Sequence, residues 1–255
     1  MLSARSSLRG DYPRQKTSAL VWLIAALVAA YAMELILLSP WFGPGGAGMV
    51  GQLSLTVRSI QNGHVWTLFT HGLLHSTTNP FPILFTILGL IFIGREVEPL
   101  LGARRFFSVF GGALLLGALC WTAVHWVHGG THLGASAGVL GLFIVLAGLY
   151  PNQEIHCLVF FVFPVTLRPK YFVYGLLVLN ITGLLLYEIP GTSAPFDFAP
   201  SVHLGGMLAG WIYFRYFHAN NGWDRPPTIE MPPFLRPRGK SVPAGAGSGD
   251  RKSVV

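Results

Sequence analysis

Six long apolar runs alternate along this chain with short segments that hold most of its charges, at residues 17–38, 82–99, 106–128, 134–150, 171–188 and 202–218. At about 1.5 Å of rise per residue, each is about long enough to cross some 30 Å of hydrocarbon as a helix. The pattern predicts an all-α membrane protein with six transmembrane helices. Residues 39–65 read as a Pro/Gly-rich outer connection. A further apolar and aromatic stretch at 155–166 contains Phe163-Pro164 and is only about 12 residues long, too short to cross, so it reads as an interfacial or buried connection.

Composition agrees with this pattern. The 255 residues are 52% hydrophobic and 11% charged, too few charges to solvate an ordinary globular surface of that size. The net charge of +7 could suggest a nucleic-acid partner, but the basic residues stand where they orient a bilayer protein. Arg5, Arg9, Arg14 and Lys16 precede the first run, Arg95, Arg104 and Arg105 follow the second, Arg168 and Lys170 precede the fifth, and Arg215 ends the sixth. All then fall on one side, which the positive-inside rule makes cytoplasmic, with both termini there. The lipid bilayer, not nucleic acid, is the implied partner. The expected organisation is a cytoplasmic segment at 1–16, a membrane domain at 17–218 and a tail at 219–255 whose Pro pairs and Gly/Ala/Ser run predict disorder. No small-residue cleavage signal follows the first run, which reads as a retained helix. Cys120 and Cys157 form neither a disulfide framework nor a metal spacing and read as packing residues.

Candidate chemistry sits in the fourth and sixth runs. Gly134, Gly138 and Gly141 recur at helical spacing around Ser136, and His203 is followed by Gly206 and Gly210. Small residues at that spacing let membrane helices approach closely, so these glycines read as packing positions. The two runs cross in the same direction, and Ser136 and His203 each lie near the outer end, at similar depth. A serine hydroxyl becomes a nucleophile when a neutral imidazole takes its proton, so Ser136 reads as nucleophile and His203 as general base. Free backbone N–H groups at the start of the fourth helix, Ser136 N–H among them, suit an oxyanion. No acid has an evident claim to orient His203, so a dyad is expected. His125, His128 and His132, with His64, His71 and His75 on the same side, lack nearby carboxylate or thiolate partners and read as interface anchors with no metal implied. Hydrolysis by the pair needs no cofactor.

At these residues the chain resembles the rhomboid intramembrane serine proteases. Gly134-Ala135-Ser136 matches the family's Gly-x-Ser motif on helix four, and His203-x-x-Gly206-x-x-x-Gly210 its helix six. Trp66-Thr67-Leu68-Phe69-Thr70-His71 with Leu74-His75 resembles the approach to helix two. Gly94-Arg95-Glu96-Val97-Glu98 with Leu101-Gly102 resembles its end, so the likeness spans roughly residues 60–218. The resemblance implies a six-helix rhomboid-like bundle in a bacterial inner membrane. It implies a serine endopeptidase cleaving transmembrane protein substrates near the outer face of the bilayer. The alternative is a non-catalytic rhomboid-like protein that binds membrane clients.

Two departures stand out. The family carries a histidine and, four residues later, an asparagine on helix two that help hold the oxyanion; alignment puts Pro82 and Thr86 there. Thr86 can donate a hydroxyl and Pro82 can donate nothing. His75 and Asn79 share the family's spacing and offer an alternative register. The aromatic residue expected one turn after the serine is Leu140.

Overall fold

Each of the six apolar runs holds helix in the computed structural model, which describes residues 18–159, 163–192 and 198–218. The expected segment 1–16 and tail 219–255 lie outside the described residues. In chain order the elements are α1 (Ala19–Leu37), α2 (Gly43–Leu53), β1 (Leu55–Thr56), α3 (Val57–Gln61), α4 (Thr67–Thr70) and α5 (Phe81–Gly89). They continue as α6 (Arg95–His125), β2 (Thr131–His132), α7 (Ser136–Leu149), β3 (Ile155–Val159), β4 (Phe163–Leu167), α8 (Pro169–Gly183) and α9 (Pro200–Ile212). Wider π-type turns prolong α5 to Gly94, α8 to Glu188 and α9 to His218.

Among the described residues, three helical stretches are long and apolar enough to cross a membrane: Ala19–Leu37, Phe81–His125 and Pro169–Glu188; α7 is apolar but shorter. The second is not one straight rod. Gly102, at φ 73° and ψ 160°, breaks it between the second and third apolar runs, in a conformation strained for any residue with a Cβ. Just before the break, the Glu98 carboxylate turns onto the start of α1. It accepts from Ala19 N–H at 2.6 Å, Leu20 N–H at 3.2 Å and the Ser18 hydroxyl. A carboxylate on free N–H groups at a helix N-terminus offsets their lost partners and suits the helix dipole.

The core is α6, α7 and α9. A Cβ on Gly117 of α6 would lie 2.9 Å from the Ala137 methyl, and one on Gly141 would lie 2.5 Å from the Ala113 methyl, so α6 and α7 run antiparallel. On α9, a Cβ at Gly206 would sit 2.4 Å from the Ala137 carbonyl oxygen, and one at Gly210 2.3 Å from that of Gly141. Both partners advance together, so α7 and α9 run the same way, backbone against backbone. Gly206→Ala is therefore expected to destabilise the fold by about 1–3 kcal/mol through overpacking. Gly112→Ala, on α6 with nothing within 4 Å, is expected to be neutral or slightly stabilising. Thermal melts of both variants in one detergent check this, and equal midpoints would contradict it.

Several expectations need correcting. Gly134 does not share a helix face with Gly138: it precedes α7 at φ 125°, and its contribution is that backbone conformation. Gly138 does pack closely, but against the Phe110 ring of α6 rather than against α9. The connection 39–65 holds α2, β1 and α3. Five glycines among the eleven residues of α2 argue against helix by propensity. Gly46, however, is required where it stands, because a Cβ there would lie 1.8 Å from the Leu37 carbonyl oxygen at the end of α1. The short stretch at 155–166 is a two-stranded hairpin, β3 antiparallel to β4, paired from Ile155↔Leu167 to Val159↔Phe163. His71, His75 and His132 are buried, not interface anchors.

Candidate active site

Ser136 is the first residue of α7. Its entry is held by two backbone ties: Gly134 N–H donates to the His71 carbonyl at 2.9 Å, and β2 pairs with β1, Leu55 opposite His132. These leave Ser136 half-buried at a helix N-terminus with no side-chain cap. The N–H groups of the first turn have no intrahelical partner until Val139 N–H reaches the Ala135 carbonyl at 3.3 Å.

His203 lies in the first turn of α9, which the Gly206 contact sets directly beside Ala137. Its Nε2 is 3.0 Å from Ser136 Oγ, so the two residues expected to act together do meet. The other ring nitrogen, Nδ1, is 2.9 Å from Oδ1 of Asn180 on α8. Asn180 Nδ2 donates to the Leu176 carbonyl at 2.7 Å, which fixes the amide with its oxygen toward the histidine. The expectation was that no acid orients His203; the group that faces its Nδ1 is a carboxamide. Asn180 escaped the sequence reading because it is 23 residues from His203 and belongs to no spacing motif. Its signal was being the one asparagine in the apolar run 171–188.

A second contact replaces the missing aromatic at Leu140. Phe198, just before α9, meets the His203 ring edge-on with centroids 5.2 Å apart. Gly183 of α8 makes room for it, since a Cβ there would lie 2.6 Å from Phe198 Cε1. Three side chains thus locate one imidazole. The end of the bundle where α8 gives way to α9 is closed by Glu188, whose carboxylate accepts from the N–H and hydroxyl of Ser201 and lies 3.6 Å from His125 Nδ1.

Both registers for oxyanion support have a residue that can be placed relative to Ser136. Gly89 on α5 packs on Val139, where a Cβ would be 2.6 Å from Val139 Cγ1. α5 and α7 are each antiparallel to the helix between them, so Thr86 and Ser136, one turn earlier on each, stand at the same depth. Thr86 is buried there, and Pro82 occupies the first turn of α5, where its missing N–H is no loss. His75 lies by the entry to α7, its Cδ2 3.9 Å from where a Gly134 Cβ would be. Asn79 Oδ1 accepts from Phe81 N–H at 3.1 Å in the turn into α5.

No curated protein matches the chain. A family described as eukaryotic integral membrane protein (DUF1751) matches residues 17–239, a span that takes in every element above. That description gives no support to a bacterial inner membrane or a bacterial-type assignment. The site just described thus sits within the matched span, and the chain belongs to this family of integral membrane proteins.

Proposed function

We propose that the chain is an intramembrane serine endopeptidase that cleaves transmembrane segments of membrane proteins. The observation that carries this is the 3.0 Å approach of Ser136 Oγ to His203 Nε2 across two helices packed through glycine. In this reading the six helical segments all cross the bilayer, α7 and α9 in the same direction, with both termini cytoplasmic and the pair near the outer face. Ser136 Oγ attacks the scissile carbonyl carbon while His203 Nε2 takes its proton. The oxyanion forms against the first-turn N–H groups of α7, with the Thr86 hydroxyl at the same depth, and collapse returns the proton to the leaving amine. Water then hydrolyses the acyl-serine by the same base.

The test is labelling of the reconstituted protein with a fluorophosphonate, together with cleavage of a single-span reporter in liposomes. Labelling plus a cut near the outer end of the reporter helix supports the proposal. A folded protein that captures the reporter but neither labels nor cuts is instead a client-binding member of the fold.

A further inference from the structure

We infer that Asn180 is the third member of the device, a positioning residue that fixes the tautomer of His203 so that its Nε2 lone pair faces Ser136. This rests on the reading of Ser136 and His203 as nucleophile and base, but it makes a claim about His203 that can be read without turnover.

The placement of Asn180 is the first argument. Along α8 the buried residues are Pro169, Asn180 and Gly183, and the remaining side chains face outward or are half-buried. A helix so peripheral needs apolar side chains, and a polar one inside a membrane-embedded bundle is costly unless it is partnered. Asn180 is fully buried and partnered at both ends of its amide.

The direction of those bonds is the second argument. Nδ2 can only donate, and it faces a backbone carbonyl, which can only accept. The reversed amide would set Oδ1 against the Leu176 oxygen, two acceptors 2.7 Å apart. Oδ1 therefore faces His203 and can only accept, so Nδ1 carries the imidazole proton. Nε2 is then bare and accepts from Ser136 O–H, which is the state a general base needs. In the other tautomer Nε2–H would point at the serine, and the base would be lost.

The choice of asparagine is the third. An aspartate would offer the same acceptor but bring a charge into the apolar layer around α8, which is costly inside a membrane. The carboxamide keeps the orientation and omits the charge. Glu188, the acid nearest along the same helix, is already committed to Ser201.

The experiment uses the full chain labelled with ¹⁵N-histidine in detergent or bicelles. His203 is assigned by loss of its signal in His203→Gln, and tautomers are read from the ring ¹⁵N shifts. Wild type is expected to show Nδ1–H and a bare Nε2. Asn180→Leu, close in size and unable to accept, is expected to mix the tautomers and to lower kcat about 10²-fold or more with KM little changed, while Asn180→Asp keeps the Nδ1–H form and most of the activity. A wild-type spectrum with Nε2–H overturns the inference even if Asn180→Leu does not fold. So does an Asn180→Leu protein with the wild-type tautomer and wild-type kcat. An inert wild type that still shows the Asn180-dependent tautomer removes the protease reading and leaves the positioning role standing.

Discussion

Ser136→Ala is expected to abolish fluorophosphonate labelling and to lower kcat by about 10⁵-fold or more, a loss of about 7 kcal/mol of transition-state stabilisation. The size follows from what the proposed reaction asks of the residue. Removing its hydroxyl removes the bond-forming atom, and what remains is the catalysis that binding and free N–H groups supply by themselves. His203→Ala is expected to lose nearly as much, because an unassisted hydroxyl is a poor nucleophile at neutral pH. The double variant should be scarcely worse than either single one, since the two act as a unit across the 3.0 Å contact. Stability should barely move with Ser136→Ala: the residue is half-buried and contributes one hydrogen bond of its own, a change of about 1 kcal/mol. Rates of reporter cleavage and melting midpoints, measured on the same preparations, separate the two effects. Full cleavage by Ser136→Ala would remove the assignment of the nucleophile, and additive losses in the double variant would remove the idea of a coupled pair.

The meeting of Ser136 and His203 was legible because two local facts sufficed: small residues at helical spacing and the shared direction of the fourth and sixth runs. Both act through backbone approach, which a glycine pattern reports directly. Asn180 was not legible for the opposite reason. Its role depends on how α8 is rotated about its axis, and an apolar run with one amide does not specify which neighbour the amide faces. Gly134 misled because helical spacing continues past the residue where the helix begins; the positive φ that ends the pattern is invisible in the letters. α2 was missed because its helix exists through contact with the end of α1 at Gly46, a tertiary effect that overrides the poor propensity of its glycines. The histidines before α5 and before α7 were read as sharing a side, and His71 does lie beside His132 with ring centroids 5.6 Å apart, but their burial was not legible, since a polar residue in a loop gives no sign that the loop folds inward.

That burial leads to the second large effect: the fold should lose stability steeply as pH falls from about 7 to 5. His71, His75 and His132 lie in the connections outside the apolar runs, and all three are buried. Burial lowers His71 to about 4, with the Thr67 backbone pulling the other way and His75 adding to the fall. Burial likewise lowers His75 to about 4, opposed by the nearby Leu73 backbone, and neither of its ring nitrogens makes a hydrogen bond of normal geometry. His132 is also lowered, by burial first and then by the neighbouring His71, His203, His125 and His75. The sign follows from proton binding. Each folded-state value lies below the ordinary 6.5, so the unfolded chain binds more protons between about pH 6.5 and 4, and stability falls as pH drops through that window. At pH 5 the cost is about 2 kcal/mol for each of His71 and His75, roughly 4 kcal/mol together, comparable to much of a domain's net stability. Glu34 offers His75 little relief, because its carboxylate accepts from the His75 backbone N–H at 2.9 Å rather than from the ring. His75→Phe keeps a ring in the space and removes the proton site, so it should flatten the slope by about the share of one histidine. Melting midpoints of wild type and His75→Phe at pH 7.5, 6 and 5 in one detergent decide the matter. A wild-type midpoint that does not move, or a slope unchanged in His75→Phe, would show that these imidazoles are not held neutral by the fold.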